Sequence, residues 1–278
     1  MVNYKNILIG RIIMARNSLK NVMRLIDVAN NELPIEQQFL NDLINSIEKQ
    51  VELNASKPSQ TYKPSGMNCE RAMVYQVLGV EPDQGRASYQ FEGICESGTD
   101  RHIRIQQAIE NMKNVLNVDC EYINVADFVK QRNIQDLEIK GQSGMETKLY
   151  HKKLNMSFMC DGIIRYKSKY FIFEFKTETA DKFYKRTGVD ESHYNQATAY
   201  SLAFEIDKVL FIYENRNTLD KKAFIREVTN EMKEELVGRI EYCDSYVKKL
   251  KAPPKPQNVL KKTCSYCIYK SQCGKDMY

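Results

Sequence analysis

Three cysteines near the C-terminus are spaced like metal ligands. They are Cys264, Cys267 and Cys273, in the segment TCSYCIYKSQC. Gaps of two and then five residues between thiols are typical of cysteine-rich zinc and iron–sulfur sites, which commonly have four protein ligands. A closed site of this kind therefore needs a fourth ligand from a distant part of the chain.

A second set of reactive side chains lies where the sequence alternates like a β-strand. Asp161 precedes a glycine, and Glu174 and Lys176 flank Phe175. Alternation along a strand places Glu174 and Lys176 on one face. Two carboxylates suit Mg²⁺ or Mn²⁺, and a neighbouring lysine can orient water or offset charge on a phosphate. A buried salt bridge within the sheet is the alternative interpretation of the same residues.

Two helical segments contribute further polar side chains. His102 begins a helical pattern over residues 98 to 113, at the edge of its apolar stripe. Gln196 and Tyr200 are four residues apart, and thus on one face of another predicted helix. Each has an ordinary structural explanation, as a core histidine or a half-buried polar pair. They indicate a functional site only in combination with the strand residues.

In order and spacing, these residues resemble the motif series of RecB-like nucleases in the PD-(D/E)XK superfamily. The shared series is Gly-x-x-x-His, Asp-Gly, Glu-Phe-Lys and Gln-x-x-x-Tyr. The resemblance covers about residues 60 to 278. It implies an α/β fold with a restriction-endonuclease-like core, in which helices flank a mixed central sheet.

The resemblance also implies a role for each motif residue. The implied metal ligands are His102, Asp161, Glu174 and the main-chain carbonyl of Phe175. Asp161, Glu174 and Lys176 would form the catalytic set, with Lys176 assisting hydrolysis. Gln196 and Tyr200 would help to bind DNA.

One branch of this family carries an iron–sulfur cluster on one N-terminal and three C-terminal cysteines. The chain looks like this branch, which includes the AddB nuclease domain and RecB-like exonucleases of CRISPR adaptation modules. The resemblance implies a [4Fe–4S] cluster with Cys69 as the fourth ligand, although spacing alone leaves zinc open. Either metal centre would act as a clasp between Cys69 and the tail. Glu70 departs from the family, which often has proline there, but no reactive group is lost.

A basic and aromatic stretch separates the Glu-x-Lys strand from the Gln-x-x-x-Tyr helix. It contains Lys182, Lys185 and Arg186 together with Phe183 and Tyr184. Such a stretch is a candidate for phosphate contacts and base stacking along a DNA strand. A solvated loop explains it as well.

Periodicity and composition predict the elements that position these residues. Helical patterns occur in residues 4 to 52, and proline-containing segments follow at residues 55 to 66 and 251 to 256. The predicted organisation is a helical N-terminal extension over 1–55, a nuclease core over 56–250 and a cysteine tail over 251–278. In the core we expect strands at 157–166, 170–176 and 209–213 and helices at 192–204 and 229–250.

Bulk composition excludes some classes of protein. The 278 residues carry a net charge of +5, which permits a polyanionic partner without demanding one. No apolar stretch is long enough for a membrane span, and no signal-peptide pattern is present. We therefore expect a cytoplasmic protein, in which clustered cysteines bind metal more often than they form disulfides.

Together, these features predict a metal-dependent deoxyribonuclease. It would act as an exonuclease on DNA ends or single strands, with Mg²⁺ or Mn²⁺ activating the water that attacks the phosphodiester. The alternative is a non-catalytic module that binds DNA or a protein partner and is stapled by a four-cysteine zinc or iron–sulfur site. The N-terminal helices are candidates for partner binding or self-association.

Overall fold

The computed structural model describes residues 33–54, 59–83, 89–143, 146–256 and 261–275. The chain divides into two compact units, Met1–Ser56 with Arg86–Gly93, and Lys57–Gly85 with Ile94–Tyr278. The second unit contains the tail that was predicted as a separate region. The helical pattern expected before residue 33 lies outside the described residues.

The helices are distributed along the whole described chain. They are α1 (Ile35–Asn54), α2 (Glu70–Val77), α3 (Tyr89–Leu116), α4 (Val125–Arg132), α5 (Ala180–Lys185), α6 (Tyr194–Phe204), α7 (Asn230–Val247), α8 (Lys261–Ser265) and α9 (Lys270–Lys275). Short 3₁₀ turns precede α2 and α6, at Pro64–Gly66 and Glu191–His193. Within the described residues, none of these helices has the length and apolar character needed to cross a membrane.

The strands form two sheets in the second unit. They are β1 (Cys120–Ile123), β2 (Leu137–Ser143), β3 (Glu146–His151), β4 (Met156–Cys160), β5 (Gly162–Tyr166), β6 (Lys169–Glu178), β7 (Lys208–Asn215) and β8 (Lys221–Glu227). The central sheet has the order β1-β5-β6-β7-β8, and the second sheet has the order β2-β3-β4. Only the β6–β7 pair is parallel among the described strands, and α5 and α6 lie in the connection between its strands. The predicted α/β class with a mixed central sheet flanked by helices is confirmed.

The chain passes from one sheet to the other at Asp161. β4 ends at Cys160 and pairs with β3, whereas β5 begins at Gly162 and pairs with β1 and β6. The prediction of one continuous strand over 157–166 was wrong. Apolar residues are buried on both sides of the break, so periodicity alone does not reveal it.

The strand β6 lies between two apolar layers. Phe173 and Phe175 pack with Ile105 and Ile109 of α3 on one side of the central sheet. On the other side, Ile172 belongs to the larger apolar core, which includes the buried residues of α6. Alternation places Glu174 and Lys176 on one face, as predicted, and the structure shows that this face lies on the α6 side.

Gly162 provides the close approach that the passage between the sheets requires. A Cβ atom at this position would lie 2.5 Å from Cε2 of Tyr122. The hydroxyl of Tyr122 also donates a hydrogen bond of 2.6 Å to the carbonyl of Asp161. A side chain at Gly162 would therefore disturb the residue that precedes it.

We predict that Gly162→Ala destabilises the protein by about 2 kcal/mol, because the Tyr122 ring must move. Urea unfolding measures this change. Gly238→Ala is the control, since a Cβ atom there meets nothing within 4 Å in the middle of α7. It should stabilise the protein by about 0.5–1 kcal/mol. Equal effects of the two substitutions would contradict the proposed close contact.

Candidate functional site

Three elements hold Asp161 in a fixed position. Gln106 Nε2 on α3 and the Tyr122 hydroxyl on β1 each donate to the Asp161 carbonyl, at 2.6 Å. The main-chain N–H of Phe175 on β6 donates to Asp161 Oδ2 at 2.7 Å. Asp161 is only 5% exposed, so these contacts fix its orientation inside the protein. They leave the carboxylate oxygen Oδ1 available for another partner.

A histidine and two carboxylates converge at that oxygen. His102 Nδ1 lies 3.2 Å from Asp161 Oδ1 and 3.4 Å from Glu146 Oε1. One ligand atom from each residue lies within 4.8 Å of the other two. Nevertheless, His102 Nδ1 is buried and forms no well-aligned hydrogen bond in the described part of the chain. Such a set of donors fits a divalent cation, which nitrogen and carboxylate oxygens commonly bind together.

Glu146 is a candidate ligand that sequence reasoning missed. It is the first residue of β3, and the next residue, Thr147, pairs with Cys160 on β4. This register sets Glu146 beside Asp161, which follows Cys160. No motif in the sequence links Glu146 to Asp161. Only the pairing of β3 with β4 brings the two residues together.

The two carboxylates control the protonation of His102. Burial disfavours the charged imidazolium, but the nearby Asp161 and Glu146 outweigh it and raise the pKa of His102 to about 10. His102 therefore carries a proton at neutral pH when no cation is bound. Since a histidine ligand must be neutral, binding of a cation at this nitrogen would release the proton.

Glu174 and Lys176 form an ion pair next to this group. Lys176 Nζ contacts Glu174 Oε1, and Gln196 Nε2 donates to the same oxygen at 2.9 Å. Burial, followed by the charge of Asp161, raises the pKa of Glu174. Glu174 Oε2 is buried without a hydrogen-bond partner among the described residues. Glu174 lies outside the group of three converging ligands, so its predicted ligand role stays a prediction.

Phe175 connects the ion pair to the histidine. Its ring meets the imidazole of His102 edge to face, with centroids 5.1 Å apart, and its main-chain N–H binds Asp161. The predicted role of its carbonyl as a metal ligand is untested by these contacts.

Gln196 and Tyr200 lie on one face of α6, as predicted, and both are buried. Gln196 Nε2 donates to the Tyr200 hydroxyl at 2.9 Å, and that hydroxyl donates to the carbonyl of Met159 at 2.7 Å. Together with Glu174, they line a cavity of about 440 Å³. Their hydrogen bonds orient Glu174 and attach α6 to β4, and DNA contact by either residue remains a prediction.

Arg186 belongs to an internal ion network. Its side chain is 6% exposed and contacts Glu178 and Asp190, with Arg186 Nε 2.6 Å from Glu178 Oε2. The guanidinium also lies 4.0 Å from the ring centroid of Tyr213. These contacts hold the pKa of Glu178 below its usual value against the effect of burial. The position argues for a structural role of Arg186 in place of the predicted DNA contact.

The two predicted lysine contacts differ in exposure. Lys182 Nζ lies 2.9 Å from Glu178 and 3.0 Å from Asp190, at the edge of the same network. Lys185 has a side chain that is 75% exposed, and it pairs with the exposed Asp181. Both remain candidates for phosphate contact, although Lys182 would have to share its charge with two carboxylates.

The C-terminal tail packs beside Cys69. The Tyr269 hydroxyl donates to Gln76 at 3.2 Å, and the Ile268 carbonyl accepts from the N–H of Asp83 at 2.6 Å. Cys69 and Cys267 line one cavity of about 330 Å³. Among the described residues, no three thiols approach one another closely enough to hold a single ion. The four-cysteine ligand set therefore stays a prediction, as does its cofactor.

Comparison with known proteins adds little. No protein-family model matches the chain, and no curated protein is significantly similar to it. Among solved structures, the chain is similar to SSO0001, known from a crystal structure, with 14% sequence identity. The match covers 87% of this chain and 99% of SSO0001, with a TM-score of 0.42. A similarity this low carries neither a family nor a function over to the chain.

We predict that Arg186→Ala lowers the free energy of unfolding by about 2–3 kcal/mol, because it removes a buried partner of Glu178. Lys185→Ala, one residue away and exposed, should change it by less than about 0.5 kcal/mol. Chemical unfolding of both variants checks this difference. A neutral Arg186→Ala would contradict the structural role.

Proposed function

We propose that the protein is a metal-dependent deoxyribonuclease of the RecB-like PD-(D/E)XK type, acting on DNA ends or single strands. The observation that carries the proposal is the convergence of His102, Asp161 and Glu146 beside the Glu174–Lys176 pair. Metal ligands next to a lysine on an adjacent strand suit phosphodiester hydrolysis. The order of these motifs along the chain supports the same reaction.

The ligands and the ion have separate tasks in this proposal. When bound, Mg²⁺ or Mn²⁺ lowers the pKa of a coordinated water and polarises a phosphoryl oxygen. His102, Asp161 and Glu146 would hold the ion, and the hydrogen bond from the N–H of Phe175 keeps the Asp161 carboxylate from turning. Glu174 and the carbonyl of Phe175 complete the ligand set that the motif series implies.

Glu174 and Lys176 act on the reacting groups. The unpartnered Oε2 of Glu174 is available to accept a hydrogen bond from the attacking water. The Lys176 ammonium is held by Oε1 of Glu174, where it offsets negative charge that develops on the phosphate. Burial lowers and Glu174 raises the pKa of Lys176, with a net rise, so this residue acts as a cation.

The unpartnered atoms favour catalysis over a purely structural salt bridge. Buried polar atoms almost always have hydrogen-bond partners, and an ion pair that serves only stability satisfies both carboxylate oxygens. Here Glu174 Oε2 is buried without one in the described chain, and His102 Nδ1 is paired with Asp161 and Glu146 only through contacts that are not aligned hydrogen bonds. A carboxylate oxygen and a ring nitrogen that both lack an aligned hydrogen bond in one small region are better explained by a ligand than by packing.

We predict that the purified protein cleaves end-labelled single-stranded DNA in the presence of Mn²⁺. Lys176→Ala should lower the cleavage rate at least about 10²-fold, because charge on the phosphate is no longer offset. Lys169→Ala is the matched control, since Lys169 is an exposed lysine on the same strand. Gel analysis of 5′- and 3′-labelled strands measures the rate and also shows the polarity.

Mn²⁺ binding, measured by titration calorimetry, separates loss of metal from loss of chemistry. Glu146→Gln should bind Mn²⁺ at least about tenfold more weakly, whereas Lys176→Ala keeps its affinity. Glu138→Gln, on the same sheet but outside the ligand group, should bind like the wild type. A wild-type protein that binds Mn²⁺ but never cleaves DNA would support the non-catalytic alternative.

We further propose a structural [4Fe–4S] cluster on Cys69, Cys264, Cys267 and Cys273. The support is the packing of the tail against α2, at whose N-terminal end Cys69 lies. Thiolate ligands from both ends of the second unit would close a long loop of the chain. Metal binding would then stabilise the folded protein directly.

Cys69→Ser should release iron and abolish the brown absorbance of the purified protein. The exposed Cys95, which is outside the proposed ligand set, provides the control Cys95→Ser. Iron and zinc contents, measured by mass spectrometry, distinguish the two metals. Unchanged iron in Cys69→Ser would overturn this ligand assignment, and stoichiometric zinc in the wild type would replace the cluster by a zinc site.

A further inference from the structure

Three lysines line the cavity that adjoins Glu174. This space of about 440 Å³, here called the lysine cavity, has Lys63, Lys140 and Lys148 in its wall. Glu174, Gln196 and Tyr200 line the same cavity. The cavity thus extends from the candidate catalytic strand to three cations from separate chain segments.

The second sheet directs two of these lysines. Ile139 pairs with Leu149 and Gly141 pairs with Lys148, so Lys140 is an extra residue at a β-bulge. Bulges commonly redirect a side chain near functional sites. On β3, Lys148 lies two residues after Glu146 and therefore on the same face, roughly 7 Å along the strand. The face that supplies a metal ligand also supplies a cation.

Two of the three lysines have ammonium groups that are not paired with a carboxylate of the described residues. Lys140 forms an ion pair with Glu138. The side chains of Lys63 and Lys148 have no hydrogen bond or ion pair with the described residues, and both residues are exposed. The carboxylate of Glu174, which also lines the cavity, is already paired with Lys176. The cavity therefore has an excess of positive charge.

The dimensions and the remaining lining favour a single strand of nucleic acid. A cavity of this volume accommodates a small-molecule-sized group, such as one nucleotide, but not a duplex. Leu149 and Phe158 form an apolar part of the wall, suited to a sugar or base, while lysines suit phosphates. This combination resembles the basic and apolar grooves that bind single strands without reading their sequence.

We propose that the lysine cavity binds the backbone of a single DNA strand immediately beside the phosphate that is cleaved, through Lys63 and Lys148 with support from Lys140. This inference rests on the proposed nuclease function and adds the place of the substrate strand. The recognition is of phosphate charge and does not depend on base sequence.

Fluorescence anisotropy with a labelled oligothymidylate tests the proposal, with Ca²⁺ in place of the catalytic metal so that binding is measured without cleavage. Lys63→Ala and Lys148→Ala should each weaken binding about 3- to 10-fold, and the double variant more than about tenfold. The slope of log K against log salt concentration should fall by about 0.7 for each lysine removed. Lys208→Ala, a lysine of β7 outside the cavity, should leave affinity and slope unchanged.

The two proposals fail in different ways. Wild-type affinity in the Lys63→Ala, Lys148→Ala double variant would overturn the lysine cavity, even if the protein cleaves DNA. Absence of any DNA binding by the wild type would overturn it as well. Lysine-dependent binding by a protein that never cleaves DNA would support the cavity and overturn only the nuclease. Because both lysines are exposed, unfolding curves of the variants should match that of the wild type.

Discussion

The candidate site depends on the fixed position of Asp161 between the two sheets. Gln106 and Tyr122 bind its carbonyl, and the N–H of Phe175 binds its carboxylate, so α3, β1 and β6 all meet at one residue. The last strand of the second sheet, β4, ends immediately before it. Any element that pairs with β4 is thereby brought to Asp161. This is how Glu146 enters the site, and how the same sheet carries lysines to its edge.

Two clusters of charged residues in this protein differ in how completely their charged groups are paired. Around Arg186, Glu178 and Asp190 are each engaged by a cation, and the pKa values of both carboxyls are held low despite burial. Around Asp161, burial and like charge raise the pKa of Glu174, and His102 Nδ1 has no aligned partner in the described chain. The first pattern is that of a cluster that stabilises a loop. The cluster around Asp161 is less stabilising than it could be, which is typical of binding and catalytic sites.

Sequence reasoning recovered what local periodicity encodes and missed what strand pairing creates. The alternation of β6 and the stripe on α3 are properties of single segments, so the shared face of Glu174 and Lys176 was predictable. Glu146 was not, since only the register of β3 with β4 brings it to Asp161. The strand β8 is half exposed at the sheet edge, where alternation includes charged residues, and it was also missed. The DNA role predicted for Arg186 rested on a local stretch of basic and aromatic residues, which does not reveal its buried partners.

The segment from Lys63 to Cys69 connects the two proposed centres physically. Lys63 lines the lysine cavity and also the cavity that contains Cys69 and Cys267. Between them, the Met67 carbonyl accepts hydrogen bonds from Asn195 on α6 and Arg239 on α7, at 2.8 and 3.0 Å. A cluster on Cys69 would hold one end of a short segment whose other end presents a cation to the substrate. The cluster would then contribute to the reaction by positioning other groups. It would hold the segment against α6, whose Gln196 binds Glu174.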